Sequence, residues 1–326
     1  MNFPQSSLIP RLSIVIPTHN RPDLLRLCLQ SVVRHAPDRT EIIVVDDGSR
    51  DACVTSVVQE FPQVRGVRAQ RPRGFCAAVN AGIRLARAAV VELLNDDTEV
   101  APRWTEPALA WFDDLSVASV SPLVLRKTSR RATPPEVDSA GDRYYLGGVA
   151  VKRGHREPLS AEHLQPARVF GASASSAFYR RDVLMRLGSF PESFGAYFED
   201  VDLAFRINRA GYRVIYEPKS RVWHRGQSSY GVCRRQVLQQ QSRNEERVFW
   251  RNIPRRAWRQ ALPRHLAVLV GKGMRRFGEG RLLPFVCGRL QVLGEIRQLM
   301  RHYRSLSQLG PPGDPAQWNV EPHYWG

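Results

Sequence analysis

With 326 residues and an ordinary 43% of hydrophobic side chains, the chain can bury a real core, as one large α/β domain with an appendage or as two modest domains. Its longest uncharged runs, residues 115–125 and 169–179, hold 11 residues each, against the roughly 20 that a spanning helix needs, so no bilayer-crossing segment is expected. The 48 Lys and Arg against 31 Asp and Glu leave a net charge of +17, which points to an anionic partner such as a membrane surface, nucleic acid or polyanionic glycan.

Residues 1–5 show neither a basic n-region nor an apolar h-region, so a signal peptide is not expected. Residues 12–16 form a short β-branched apolar run that stops at Pro17, the pattern of a buried parallel strand. A helix is predicted next, with Asn20 as its cap, Asp23 in its first turn and Leu24, Leu25, Cys28, Leu29, Val32 and Val33 on one apolar face; Pro37 ends it. Residues 42–45 read as a second buried strand ending in Asp46-Asp47-Gly48-Ser49. Residues 75–88 read as a helix, and 90–94 as a third strand ending in Asn95-Asp96-Asp97-Thr98. This alternation predicts an α/β fold with a mostly parallel sheet flanked by helices and right-handed crossovers. Ligands of such sheets gather outside the carboxyl ends of the strands, where all of these polar motifs fall.

Residues 127–143 are rich in Pro, Ser, Thr and charge and read as a loop or mobile insertion. Residues 144–151 and 169–179 read as β, 181–187 as a short helix, and 200–209 as a helix that opens on acid. Two strands, 212–216 and 221–223, lead to His224. After residue 234 the pattern becomes helical and Arg-rich, punctuated by Pro254, Pro263, Gly271, Gly280 and Pro284. We therefore expect a catalytic domain over 1–233 and a basic amphipathic helical tail over 234–326. That tail carries 17 Lys and Arg against 6 Asp and Glu, or +11 of the total charge. The cysteines, Cys28, Cys53, Cys76, Cys233 and Cys287, are odd in number and lack C-x-x-C spacing. They favour a reducing cytosol over a disulfide framework.

The segment Phe198-Glu199-Asp200-Val201-Asp202-Leu203 is the most informative. Acids set between aromatic and aliphatic residues are costly to bury, so such a cluster has a task. With His224 beyond it and the three strand-end motifs before it, the order and spacing resemble the family 2 glycosyltransferases. These are inverting nucleotide-sugar enzymes of the GT-A (Rossmann-like) fold. Within them the chain is most similar to the rhamnosyltransferase-like branch of bacterial cell-surface glycan assembly, over residues 11–230.

That resemblance implies a set of roles. Pro17, Thr18 and Asn20, with His19 between them, would meet the diphosphate or base. Asp47 would hold the base or ribose, with Asp46 structural, and the segment from Gly74 to Asn80 would pass under the nucleotide. Asn95, Asp96 and Asp97 stand where the family has D-x-D, with Asn in place of the first acid. Asp97 is then the expected ligand of Mn²⁺ or Mg²⁺, with His224 beside it. Asp200 is the expected general base and Glu199 its orienting neighbour, since inverting transfer needs a carboxylate opposite the leaving group. Asp202 competes for that role.

The expected donor is a nucleoside-diphosphate sugar, and the expected acceptor a glycan or polyprenyl-linked saccharide. The tail interleaves apolar residues such as Val248, Phe249, Trp250, Ile253 and Trp258 with arginines, which suits an anionic membrane surface on the cytoplasmic side. Two other readings use the same features. One is a nucleic-acid-binding protein working through the tail, although no helix-turn-helix, zinc-finger or RNP pattern appears and no nucleic acid is expected. The other is a sugar-nucleotide nucleotidyltransferase, which lacks its Gly/Lys-rich triphosphate loop here.

Overall fold

The computed structural model describes residues 9–128, 133–226, 234–306 and 315–322. The first half alternates strand and helix: β1 (Leu12–Thr18), α1 (Pro22–His35), β2 (Thr40–Asp46), α2 (Cys53–Gln59), β3 (Val64–Arg68), α3 (Phe75–Leu85) and β4 (Val90–Leu94). A short β5 (Thr98–Val100) and α4 (Thr105–Ala110) lead into the long β6 (Val117–Arg126). Next come β7 (Val137–Ser139), the hairpin β8 (Asp142–Tyr145) and β9 (Val149–Lys152), β10 (Ala167–Val169) and β11 (Ser176–Arg180). Then follow α5 (Arg181–Arg186), α6 (Glu199–Arg209) and β12 (Arg213–His224). The C-terminal part is helical: α7 (Arg234–Asn252), α8 (Trp258–Gly278), α9 (Leu282–Gln291) and α10 (Ile296–Leu306), closed by β13 (Val320–Glu321).

Ten strands make one mixed sheet in the order β10-β12-β6-β11-β4-β1-β2-β3, with β5 beside β12 and β7 beside β6. Strands β3, β2, β1 and β4 are parallel, as the buried apolar runs predict. Antiparallel β11 joins this half to β6 and β12, which are parallel to each other. The chain winds outward from β1 to β3, then returns across β1 to lay down β4. The direction of winding therefore reverses between β1 and β4, and the crevice at their carboxyl ends is where the fold offers a site.

The core lies on both faces of this sheet. Ile14 and Ile16 join α1, α2 and α4 on one face, while Val15 and Val45 join α3, α6 and α7 on the other. Gly82 of α3 lies so close to Val15 that a β-carbon there would collide with it and crowd Val45. A separate small sheet, β13-β8-β9, lies beside the second core.

Three local expectations are corrected. Asn20 does not cap α1: it has φ of +55°, the capping position is Arg21, and Pro22 begins the helix. The stretch 127–143 holds β7 and the start of β8 rather than loop alone, because its Val137 and Ser139 pair with β6. Residues 212–216 and 221–223 belong to one strand, with an irregularity in its pairing to β6 between Glu217 and Arg221. The boundary expected near 233 falls in residues outside the description. Beyond it, Val248, Phe249 and Ile253 are fully buried in the same apolar cluster as α3 and α6.

Candidate active site

The switch point is lined with acid. At the end of β2, Asp46 accepts a hydrogen bond from the Ser49 N–H at 2.8 Å and faces Arg68, a turn-holding role. Asp47 is buried, and its two oxygens accept from the Arg73 and Gly74 N–H groups at 2.8 Å each. It thereby fixes the segment that opens α3, where Gly74 has φ of +93°. His19 donates from Nδ1 to the Asp47 carbonyl at 2.8 Å. Asn20 accepts from the Arg50 N–H at 2.6 Å and donates its own N–H to Ser49 Oγ, so the loops after β1 and β2 are tied into one rim. Pro17 lies inside β1 against Val45. Asn80 corrects an expectation: its amide bonds both backbone groups of Phe190, at 2.8 and 3.0 Å, which anchors that loop and keeps the side chain out of the cleft.

At the end of β4 the acids meet cations. Thr18 donates to Asp96 at 2.7 Å, and the Arg21 guanidinium bridges Asp96 at 3.0 Å and Asp97 at 3.1 Å. The other oxygen of Asp97 lies 3.2 Å from His224 Nε2; His224 Nδ1 lies 3.1 Å from Asp138, which also holds Lys152 at 2.8 Å. Charge therefore alternates along a buried chain from Arg21 to Lys152. Burial pushes Asp96 up to about 6 against the pull of Arg21 and Thr18. For Asp97 burial also pushes upward, but the His224 and Arg21 contacts outweigh it and hold the carboxyl below its ordinary value. Burial disfavours charge on His224, yet its bonds to Asp138 and Asp97 prevail and raise it to about 9.

Among the described residues no group of three or more His, Cys, Asp or Glu side chains is placed to hold a metal ion. The donor set still fits an ion carried with a diphosphate, because Mg²⁺ and similar ions need only one or two protein ligands when phosphates complete the shell. Asp97 and His224 converge within 3.2 Å to supply them.

His224 and Asn95 also line a cleft of about 370 Å³, which the start of α6 lines as well. Tyr197 and Phe198 precede that helix with φ of +72° and +66°, a left-handed turn that non-glycine residues adopt only under constraint. The constraint comes from α7: Asn244 donates to the carbonyls of Phe194, Ala196 and Tyr197, at 2.9 Å each, and Gln240 adds a bond to Phe194 at 2.8 Å. The turn presents Glu199 and Asp200 to the cleft. Asp200 accepts from the N–H groups of Ala174 at 3.0 Å and Val201 at 2.9 Å, which fixes the orientation of its carboxyl. Glu199 Oε2 is buried with no hydrogen-bond partner among the described residues. Burial, then mutual repulsion, raises Glu199 well above its ordinary value; burial raises Asp200 too, opposed by its backbone donors.

Asp202 is not in the cleft. Fully buried on the far side of α6, it meets Arg206 at 3.0 Å, Arg251 at 2.9 Å and Asn252 at 3.0 Å, and so ties α6 to α7.

Four residues that the sequence reading passed over complete the site: Arg21, Asp138, Asp142 and Lys152. Asp142, at the start of β8, lines the cleft, and its carboxyl is raised by burial and by the nearby Asp200 charge. Arg21 follows directly on the motif after β1. The other three lie on β7, β8 and β9, and only tertiary folding brings them to the sheet edge.

Comparison with known proteins places this geometry. The family model described as Glycosyl transferase family 2 matches residues 13–188. The uncharacterized protein y4gI of Sinorhizobium fredii is 30% identical over 68% of this chain, which spans only 25% of that relative's length. The N-acetylglucosaminyl-diphospho-decaprenol L-rhamnosyltransferase of Mycobacterium tuberculosis is 25% identical, over 68% of this chain and 78% of its own. Among solved structures, GalNAc-T7 crystallised with UDP, GalNAc and Mn²⁺ superposes with a TM-score of 0.59 at 20% identity, over 75% of this chain and 48% of that one, a likeness of fold.

Proposed function

Because the chain belongs to glycosyl transferase family 2, we propose that it moves a hexose or deoxyhexose, rhamnose among the candidates, from a nucleoside diphosphate to a hydroxyl of a glycan or polyprenyl-linked saccharide, with inversion. The observation that carries this reading is that one cleft is lined both by His224 and Asn95 and by Glu199 and Asp200. The first pair belongs to the corner suited to a diphosphate and its ion, and the second supplies carboxyl groups that burial makes more basic. The mycobacterial relative, named for a decaprenol-linked acceptor, supports the choice of acceptor class. The donor would come from the cytoplasm, where nucleotide sugars are made.

In this mechanism the loops after β1 and β2 receive the nucleotide. Asp47 holds the loop at Gly74 beneath it, and Thr18 and Arg21 keep Asp96 in place. Asp97 and His224 would hold Mn²⁺ or Mg²⁺, which when bound neutralises charge on the departing diphosphate. Asp200 takes the proton of the acceptor hydroxyl as that oxygen attacks the anomeric carbon. Its backbone donors fix its direction, and burial raises its basicity. Arg21 makes way for or joins the diphosphate, its guanidinium already facing both acids.

The test is Asp200→Asn, which keeps size and removes basicity. Single-turnover transfer should fall by about 10² to 10⁴, with donor affinity, measured by calorimetry, within a few-fold of the parent. Near-parent transfer in this variant would hand the proton to Glu199 or Asp142.

A further inference from the structure

Fifteen large apolar side chains are exposed among the described residues, and ten of them fall between residues 266 and 300. On α8 they are Leu266, Val270, Met274 and Phe277, spaced by four, four and three residues into one stripe. A second series at helical spacings of three and four residues runs from Leu283, Val286 and Leu290 on α9 through Leu293 to Ile296 and Met300 on α10. Phe277 is 73% exposed and Met274 71%, against 38% for Leu27 of α1 and 40% for Met185 of α5. A concentration of this kind marks a surface with a partner.

Charge identifies the partner. Residues 255–304 carry twelve Lys and Arg against two Glu. A second copy of the chain would bring the same positive charge to the contact, so like would face like. An anionic bilayer matches both properties, taking the apolar stripes among its acyl chains and the arginines at its phosphates. No described helix is long and apolar enough to cross, so the face lies along the leaflet. Leu293, Ile296 and Met300 also border an apolar cavity of about 290 Å³ that Trp250 and Trp258 line as well. Arg255 stands at its rim, its guanidinium 5.5 Å from the Tyr303 ring centre.

We propose that α8, α9 and α10 form a docking face for the leaflet of an anionic bilayer. The proposal stands independently of the transfer reaction, because it is read without donor or acceptor. The full chain is mixed with vesicles of phosphatidylcholine alone and of phosphatidylcholine with phosphatidylglycerol, and sedimented at low and high salt. It should bind the mixed vesicles and leave them as salt rises. The double variants Met274→Ser/Phe277→Ser and Leu290→Ser/Ile296→Ser, at exposed positions where helix content should be unchanged, should each lower partitioning about ten-fold or more. Parent-level partitioning by both variants would overturn the proposal, since charge alone would then explain binding. So would a stable dimer by light scattering that becomes monomeric in the variants, which would assign the face to a second copy.

Discussion

Removing the Asp202 carboxylate would leave Arg206 and Arg251 side by side in the interior without their counter-charge, for Asp202 is fully buried between them. Burial opposes its ionisation, yet the two guanidinium groups hold its carboxyl far below the usual range. Asp202→Ala should therefore cost about 3–5 kcal/mol of stability, read from urea unfolding, with donor affinity per folded molecule unchanged. Glu92, fully buried in β4, behaves in the opposite way. Burial lifts it to about 8 against hydrogen bonds from Trp104 Nε1 and Ser176, so the native state binds its proton more tightly than the unfolded chain. Its contribution is complete below the unfolded value near 4.5, declines as pH rises, and is gone above about 8. Glu92→Gln, which keeps the shape of the protonated carboxyl and cannot ionise, should flatten that decline, visible as a difference in urea midpoints between parent and variant that widens from pH 5 to pH 9. In the sequence Asp200 is the expected base and Asp202 its competitor on the same helix. Position on a helix turn distinguishes them only once it is known which side of α6 faces α7. Asp200 was legible because of its aromatic flank and its place before a helix. Asp142 and Lys152 were not, because their relation to Asp200 exists only after the β8–β9 hairpin folds back across the sheet.

Helix α7 imposes the turn that precedes α6. With Asn244 spanning three carbonyls, the left-handed conformations of Tyr197 and Phe198 are held from outside their own segment. Asn244→Ala should lower kcat more than it changes donor affinity and should cost about 1–3 kcal/mol by leaving buried carbonyls unpaired. Comparing kcat with donor Kd and thermal midpoint checks all three. The α7–α9 contact is equally specific: a β-carbon at Gly288 would drive into the backbone at Gln239 and Arg243. Gly288→Ala should loosen α9, seen as faster proteolysis within residues 282–306. The parallel strands were readable because β1, β2 and β4 are buried on both faces and so nearly continuous in apolar character. Edge strand β3 was missed because Val64–Arg68 interleaves two arginines and a glycine, and its inner residues carry little signal. Strand β12 was split by Pro218 and Lys219, residues that sit at the irregularity in its pairing.

At the scale of the molecule, the basic C-terminal part was legible from charge, but its attachment was not. Composition marks a change near residue 233, whereas packing continues across it through Val248, Phe249 and Ile253. A chain ending at 233 should therefore expose apolar core and bind a hydrophobic dye such as ANS with loss of sharp thermal unfolding, rather than survive as a smaller folded enzyme. The clamp from Asn244 has one more consequence. The helix that carries it packs against α6 as well as α9 and α10, so the surface proposed to meet lipid and the turn that presents Asp200 share one element. Two sites that share such an element are thermodynamically reciprocal. Any factor by which a bilayer tightens acceptor binding must reappear as the factor by which the acceptor tightens hold on the bilayer, so the enzyme would leave the membrane most readily just after its product has gone.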